Sequence, residues 1–309
     1  MKSFLYVIIL VLSFSLSAQE WTESEIRINE LISGTLLEPI TKTDTLAIII
    51  AGSGPTDRNG NQQMQQNNSL KKLAEALTLE GIATYRYDKR ILKLLRNNTL
   101  KEENLRFEDF VDDAESVVRY FKNRNFKHIV LIGHSQGALV ASLTAANEPV
   151  DMLVSLAGSG QPLDLLILDQ LAKQAPGLVE NAKQAFEDLK NKGKAENFSI
   201  GLASLLRPSV QPFMKSWMLY DPALVIQNLE IPILLVSGSK DIQVPPSESQ
   251  LLKDAKPEAK LVFIDSMNHV LKEVNGDDLD NAKTYSNPSL PVIKKLIVEI
   301  TSFIREGQK

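Results

Sequence analysis

The chain has 309 residues, of which 43% are hydrophobic and 23% are charged, and its formal net charge is −4. This composition is that of a globular protein large enough to bury one sizeable core. The acidic balance excludes a basic field that could hold nucleic acid or an anionic membrane surface, so a small, neutral or weakly charged partner is expected. The absence of cysteine from the sequence excludes disulfides and thiolate metal sites.

Residues 1–18 differ from the rest of the chain. Lys2 is their only charge, residues 4–14 are nearly all apolar, and the segment closes on Leu16-Ser17-Ala18. This pattern is typical of a secretory signal peptide cut after Ala18, which would leave Gln19 first. The apolar run is short for a membrane span, and a permanent anchor is the alternative. We therefore expect an exported protein, periplasmic or secreted, without stable membrane insertion after cleavage.

The remaining chain alternates apolar runs with helical patterns. Residues 25–37 predict two antiparallel strands at a sheet edge. Further strands are predicted, in chain order, at 45–50, 83–88, 129–132, 152–157, 231–237 and 261–264. Helices are predicted at 70–79, 107–121 and 290–304, with one more between the last two strands. Strands that alternate with helices form a parallel sheet with right-handed crossovers, so an α/β fold is expected.

One segment interrupts this alternation. Residues 161–222 contain helical patterns and no clear strand. The expected organisation is therefore a core made of residues 19–160 and 223–309, with 161–222 inserted as a separate helical unit.

A nucleophile motif lies at one junction between a strand and a helix. Gly133-His134-Ser135-Gln136-Gly137 follows the apolar run Ile129–Ile132 and precedes an alanine-rich helical segment. Two glycines around a serine let the backbone turn sharply and present the hydroxyl at the edge of the sheet. Ser135 is therefore the candidate nucleophile, with an ordinary Gly-Ser turn as the alternative.

A serine hydroxyl needs a general base to become a nucleophile at neutral pH. Of the three histidines, His128 opens the elbow strand at the end remote from Ser135, and His134 lies within the turn, where its side chain is expected to point elsewhere. His269 follows the last predicted strand, along the same carboxyl edge of the sheet as Ser135. The candidate base is therefore His269.

The base needs an acid that fixes its tautomer and stabilises the imidazolium. Asp241 stands in a glycine-bearing turn after the strand at 231–237, and Asp265 is the alternative, four residues before His269. The order Ser135, Asp241, His269 is that of α/β-hydrolases. Asp241 is therefore the preferred candidate.

The oxyanion of a tetrahedral intermediate needs two hydrogen-bond donors. The candidates are the backbone N–H groups of Gln136, at the start of the elbow helix, and of Ser53, in the loop after the strand at 45–50. A phosphate cradle is the alternative for Gly52-Ser53-Gly54, but Pro55 lacks an N–H and no dinucleotide-binding pattern follows. We therefore expect no cofactor. No histidine and aspartate cluster in the sequence has metal-ligand spacing, so no metal is expected either.

Five segments together resemble serine esterases of the α/β-hydrolase superfamily, of the secreted or periplasmic type, related to acyl-CoA thioesterase/bile-acid transferase-like and dienelactone-hydrolase-like groups. They are 52–61, 85–90, 133–137, 238–241 and 268–269. The resemblance implies a mostly parallel eight-stranded sheet and a helical cap formed by 161–222. One departure is Ile91, where many relatives have glycine.

Four charged residues near these segments, Asp57, Arg58, Arg86 and Asp88, look like a network behind the oxyanion loop. Solvated loop charge is the alternative interpretation.

Large apolar side chains concentrate between 213 and 220, at Phe213, Met214, Trp217, Met218 and Tyr220. A packed helix is one interpretation. A cap must also bury its apolar face over the mouth of the site, so Phe213, Met214 and Trp217 are expected to bind an acyl group.

The leading function is therefore hydrolysis of carboxylic esters of small to medium acyl groups through an acyl-enzyme intermediate. The alternatives are an aminopeptidase or amidase with the same three residues, and a binding protein without turnover. The oligomeric state is left open.

Overall fold

A computed structural model describes residues 20–124 and 126–308, so the predicted signal peptide and its cleavage site lie outside the described residues. The strands, in chain order, are β1 (Trp21–Arg27), β2 (Ser33–Pro39), β3 (Thr45–Ile50), β4 (Ala83–Tyr87), β5 (His128–His134), β6 (Met152–Leu156), β7 (Ile233–Gly238) and β8 (Lys260–Ile264). They form one eight-stranded sheet in the order β1-β2-β4-β3-β5-β6-β7-β8. β1 pairs antiparallel with β2, and β2 pairs antiparallel with β4. The other neighbouring pairs are parallel, which confirms the predicted mostly parallel sheet.

The described residues also form twelve α-helices. They are α1 (Ser69–Leu79), α2 (Arg90–Arg96), α3 (Glu108–Lys122), α4 (Gln136–Asn147), α5 (Leu163–Gln174), α6 (Val179–Lys192), α7 (Ala203–Leu206), α8 (Gln211–Trp217), α9 (Pro222–Gln227), α10 (Pro246–Ala255), α11 (Asp278–Thr284) and α12 (Lys294–Gly307). Short 3₁₀ helices lie at Glu102–Asn104, Pro176–Leu178 and Ile200–Leu202. The sequence analysis did not predict α2, a helix of seven residues that buries none of them.

The central strands are buried on both faces. Side chains alternate along β3, so that Ile48 packs in one apolar layer and Ile49 in the other. α3 and α4 cover the first face, while α1 and α12 cover the second. Burial of one such side chain contributes about 1.5–3 kcal/mol, which explains why these strands read as continuous apolar runs.

The helices between β6 and β7 form a unit with its own apolar cluster. Members from α5, α6 and α8 include Ile167, Phe186 and Met214. α9 instead packs on α4 and α10, and its Ile226 belongs to the core of the sheet. The segment that leaves the sheet thus runs from α5 to α8.

Candidate active site

Ser135 sits on a strained turn between β5 and α4. Its backbone has φ 55° and ψ −123°, a conformation that residues with a side chain rarely adopt. A Cβ atom on Gly133 would lie 2.2 Å from the Gly137 carbonyl oxygen, and one on Gly137 would lie 2.3 Å from the Ile50 carbonyl oxygen. Both positions therefore require glycine. The turn is held by a 2.8 Å hydrogen bond from the Ser135 N–H to the Leu156 carbonyl oxygen.

His269 and Asp241 meet at the carboxyl ends of β8 and β7. Both side chains are buried, and His269 Nδ1 lies 2.8 Å from Asp241 Oδ2. The other carboxylate oxygen, Oδ1, accepts the N–H groups of Gln243 at 2.8 Å and Val244 at 2.9 Å. Because the carboxylate accepts the hydrogen on Nδ1, His269 keeps Nε2 as a proton acceptor.

Asp265, the alternative acid, and His128, the remaining histidine, lie away from Ser135. Asp265 is exposed, and its Oδ1 accepts the hydroxyl of Ser239 at 2.8 Å. His128 lies half-exposed at the start of β5, with Nδ1 3.5 Å from Asp151. Neither residue reaches Ser135.

Ser135 and His269 line one small cavity of about 60 Å³. Among the described residues, no hydrogen bond joins Ser135 Oγ to His269. Catalytic hydrogen bonds of this kind are often long before substrate binds and shorten in the complex. The cavity thus brings the predicted nucleophile and base to the same place.

His134 has a role that the sequence did not reveal. Its buried ring lies beside that of His269, with 4.9 Å between the centroids, and its Nε2 lies 2.7 Å from the His269 carbonyl oxygen. Burial, with a further contribution from His269, lowers the pKa of His134 to about 4, so the ring is neutral and Nε2 carries its hydrogen. His134 therefore holds the backbone of the predicted base.

The two predicted oxyanion donors lie on either side of Ser135. Gln136 is the first residue of α4, where a backbone N–H has no intrahelical partner. Ser53 lines the same cavity as Ser135 and His269, and a Cβ atom on Gly52 would lie 3.2 Å from Ser135 Cβ. The Ser53 carbonyl oxygen accepts the Thr56 hydroxyl at 2.7 Å, which orders the loop. The backbone of this loop therefore passes directly beside the nucleophile.

Part of the predicted charged network forms. The backbone N–H and Nη2 of Arg58 each lie 3.0 Å from the Asp88 carboxylate, and its guanidinium also pairs with Glu25, which the sequence did not indicate. These two carboxylates raise the pKa of Arg58 despite its partial burial. Asp57 instead accepts backbone N–H groups of its own loop. Arg86 is buried, and among the described residues it forms no hydrogen bond with the carboxylate of Asp88 or of Glu25. Arg58 and Asp88 thus tie the loop after β3 to the end of β4.

A second cavity, of about 220 Å³, opens between Ser135 and the helices above it. Met214 and Trp217 line it, as expected, together with residues whose contribution was not predicted. These are Leu139, Ser159, Leu163, Leu166, Ile167, Gln170, Leu205, Gln243 and Val244. The spacing of Leu163, Leu166 and Ile167 on one face of α5 is the signal that could have identified them.

Phe213 lies outside this cavity. It lines a neighbouring one of about 380 Å³ and packs edge-on against Phe110, with the ring centroids 5.7 Å apart. Met218 is buried in the cluster of the inserted helices, and the Tyr220 hydroxyl donates to Glu108 at 2.8 Å. Only part of the aromatic and methionine cluster therefore faces Ser135.

Two further findings concern only residues 20–124 and 126–308. No group of three or more histidine, aspartate or glutamate side chains there could hold a metal ion. None of the helices in these ranges is long and apolar enough to cross a membrane.

Comparisons with known proteins show similarities in sequence and in fold. The sequence profile of a family described as serine aminopeptidase, S33, matches residues 65–185. Esterase EstD of Thermotoga maritima is 26% identical over 296 residues, which cover 93% of this chain and 68% of EstD. Est1E of Butyrivibrio proteoclasticus superposes with a TM-score of 0.58 at 18% identity, over 93% of this chain and 98% of Est1E. A dienelactone hydrolase of Anabaena variabilis gives 0.53 at 15% identity, over 93% and 99%.

The eight-stranded sheet and the structural similarities show that the chain has an α/β-hydrolase fold. The similarity to esterases supports a hydrolase enzyme.

Proposed function

We propose that the protein is a serine hydrolase that cleaves carboxylic esters of small to medium acyl groups. The observation that carries this proposal is that Ser135, on its strained turn, shares one cavity with His269, whose Nδ1 is held by Asp241. This is the arrangement in which an imidazole can take the serine proton while a carboxylate stabilises the imidazolium.

The proposed reaction has two halves. Ser135 Oγ attacks the ester carbonyl carbon as His269 Nε2 takes its proton, and the N–H groups of Ser53 and Gln136 bind the oxyanion. The C–O bond then breaks, His269 returns the proton to the leaving alcohol, and an acyl-enzyme remains. Water then attacks the acyl carbon as His269 takes its proton. The bond between the acyl carbon and Ser135 Oγ breaks, His269 returns the proton to that oxygen, and the acid is released.

The lining of the 220 Å³ cavity favours an apolar acyl group. Leu163, Leu166, Ile167, Met214 and Trp217 are among the apolar residues that line it. Its polar lining residues carry neutral hydroxyl or amide groups, such as Ser159, Gln170 and Gln243. A volume of this size fits a short or medium chain.

An aminopeptidase is the second candidate, because the serine aminopeptidase profile matches 65–185. Such an enzyme would bury the charged amino group of its substrate near Ser135. The described residues that line the two cavities beside Ser135 would leave that charge unpaired, at a cost of several kcal/mol. We therefore favour esters.

Hydrolysis of p-nitrophenyl butyrate by the pure protein tests the proposal. Ser135→Ala and His269→Ala should each lower kcat by about 10⁴-fold or more, and the double variant should lose little beyond either single one. His128→Ala is the matched control, because His128 lies at the opposite end of β5, and it should retain wild-type activity. Full additivity of the two single losses, or faster turnover of an aminoacyl anilide than of the ester, would contradict the proposal.

A further inference from the structure

Lys89, directly after β4, is a buried cation whose contacts lie at the oxyanion loop. Only 6% of its surface is exposed. Its Nζ donates to the Gly52 carbonyl oxygen at 2.9 Å and to Gln136 Oε1 at 2.7 Å, and lies 4.2 Å from the centre of the Phe110 ring. The two hydrogen bonds and the ring face account for all three N–H groups of an ammonium.

The first contact acts on the peptide group that Gly52 and Ser53 share. No cis peptide bond occurs among the described residues, so the Gly52 C=O and the Ser53 N–H point in opposite directions. A donor fixed on the carbonyl therefore also fixes the direction of the N–H. It polarises the peptide as well, which makes the N–H a stronger donor.

The second contact acts on the other predicted donor. Gln136 is almost fully buried, and Lys89 holds its side-chain oxygen while its backbone N–H lies at the start of α4. One ammonium group thus contacts both the peptide group between Gly52 and Ser53 and the side chain of Gln136. Lys89 itself lines the 380 Å³ cavity, with Gly54 and Phe110, rather than the cavities that contain Ser135.

The charge of Lys89 is not taken up by a carboxylate. Among the described residues, no carboxylate forms an ion pair with it. The acidic group that raises its pKa, Asp113 of α3, receives two hydrogen bonds of 2.8 Å from Arg90. The other charged residues that line its cavity, Glu102 and Arg207, are paired with each other. The positive charge therefore remains available to a negative oxygen beside Ser135.

We propose that Lys89 is a positioning residue of the oxyanion hole: it fixes the N–H groups of Ser53 and Gln136 and supplies a buried positive charge that stabilises the tetrahedral oxyanion. This inference rests on the proposed esterase function. It gives a reason for a lysine at a position where burial of a charge is costly.

The titration of Lys89 gives the inference a separate signature. Burial lowers its pKa from 10.5 to about 7, although Asp113 acts in the opposite direction. The ammonium is present below that pH and is lost as the pH rises through it. Turnover should therefore decline on the alkaline side in a way that depends on Lys89.

The test compares Lys89→Met with the wild type and with Lys253→Met, using kcat and KM for p-nitrophenyl butyrate between about pH 5 and 9. Lys253 of α10 is the matched control. Its Nζ also donates to two carbonyl oxygens, those of Pro257 and Ala259 in the loop after α10. Lys89→Met should lower kcat about tenfold or more with KM changed less than about twofold, and should lack the alkaline decline. Inhibition by an alkyl trifluoromethyl ketone, whose serine adduct carries the same negative oxygen, should weaken by the factor by which kcat/KM falls.

Three results for Lys89→Met would overturn the proposed role of Lys89: a wild-type kcat, a change in KM as large as that in kcat, or an alkaline decline that is retained. The esterase function would still be upheld by a loss of activity in Ser135→Ala. An absence of ester turnover in the wild type would overturn both. If Lys89→Met does not fold, Lys89→Gln, which keeps a buried donor without the charge, is measured in its place.

Discussion

His134 lies next to the nucleophile in sequence, yet its ring Nε2 contacts the backbone of the predicted base, 2.7 Å from the His269 carbonyl oxygen. The contact requires a hydrogen on Nε2, which the neutral tautomer supplies, and burial favours the neutral form over the imidazolium. One histidine thus supports the position of another.

The burial of His134 predicts a pH dependence of stability. Unfolded His134 takes up a proton near its usual pKa of 6.5, whereas the folded protein does so only near 4. Between these values the unfolded state binds more protons, so the free energy of unfolding falls as the pH falls, by about 1.4 kcal/mol for each pH unit.

Urea unfolding of the wild type and of His134→Gln at several pH values in this window measures the effect. The glutamine amide can still donate to the carbonyl but does not titrate, so the dependence should be weaker in that variant. His128→Gln, at the half-exposed start of β5, is the control. Equal pH dependence in all three proteins would contradict the prediction.

Lys89 predicts a dependence in the alkaline range. Its folded pKa of about 7 lies below the 10.5 of the unfolded chain, so the unfolded state binds more protons between these values. The free energy of unfolding should therefore rise with pH there, with Lys89 contributing about 1.4 kcal/mol for each pH unit. Thermal unfolding of Lys89→Met should show a smaller rise than the wild type, because Lys272, whose pKa burial lowers to about 8, still contributes, whereas Lys253→Met should retain the full rise. A rise as large in Lys89→Met as in the wild type would refute the assignment.

Trp217 should affect the preference for acyl length. It lines the cavity beside Ser135 and also stacks on Phe107, with 5.4 Å between the ring centroids and 9° between the planes. In Trp217→Ala, KM for longer acyl groups should rise by the equivalent of about 1–3 kcal/mol, with little change in kcat for acetyl esters. A series of p-nitrophenyl esters of increasing chain length measures this.

Phe213→Ala is the control for that series. Phe213 contacts the same Phe107 ring, at 6.5 Å between centroids, but lines the neighbouring cavity. It should lower stability without altering the order of preference among the esters. If both variants lose activity equally at every chain length, Trp217 supports the fold and does not select the acyl group.

We also propose that the protein is exported and that its mature chain begins at Gln19, because Ser17-Ala18 closes the apolar segment with small residues. Intact-mass measurement of the protein from the cell that exports it should show the loss of residues 1–18. Retention of Met1 would indicate an anchored protein. A Phe4→Lys change, which interrupts the apolar run, should reduce export.

The sequence alone determined the sheet and its chemistry to a large extent. Strands buried on both faces, such as β3 and β5, read as continuous apolar runs, and the nucleophile motif is local because a strand, a tight turn and a helix adjoin in the chain. The parallel order also places Asp241 and His269 at one edge of the sheet, so their pairing followed from topology.

The tertiary structure decided what depends on contacts between distant segments. Lys89 lies 47 residues from Gln136, and its burial beneath the loop after β3 cannot be read from a lysine after a strand. Likewise, the direction of His134 depends on its contact with the loop after β8. How the inserted helices pack above the sheet decides that Phe213 and Trp217 line different cavities. Local patterns fix which face of an element is apolar, but the distance between two buried polar atoms is set only when the whole core is assembled.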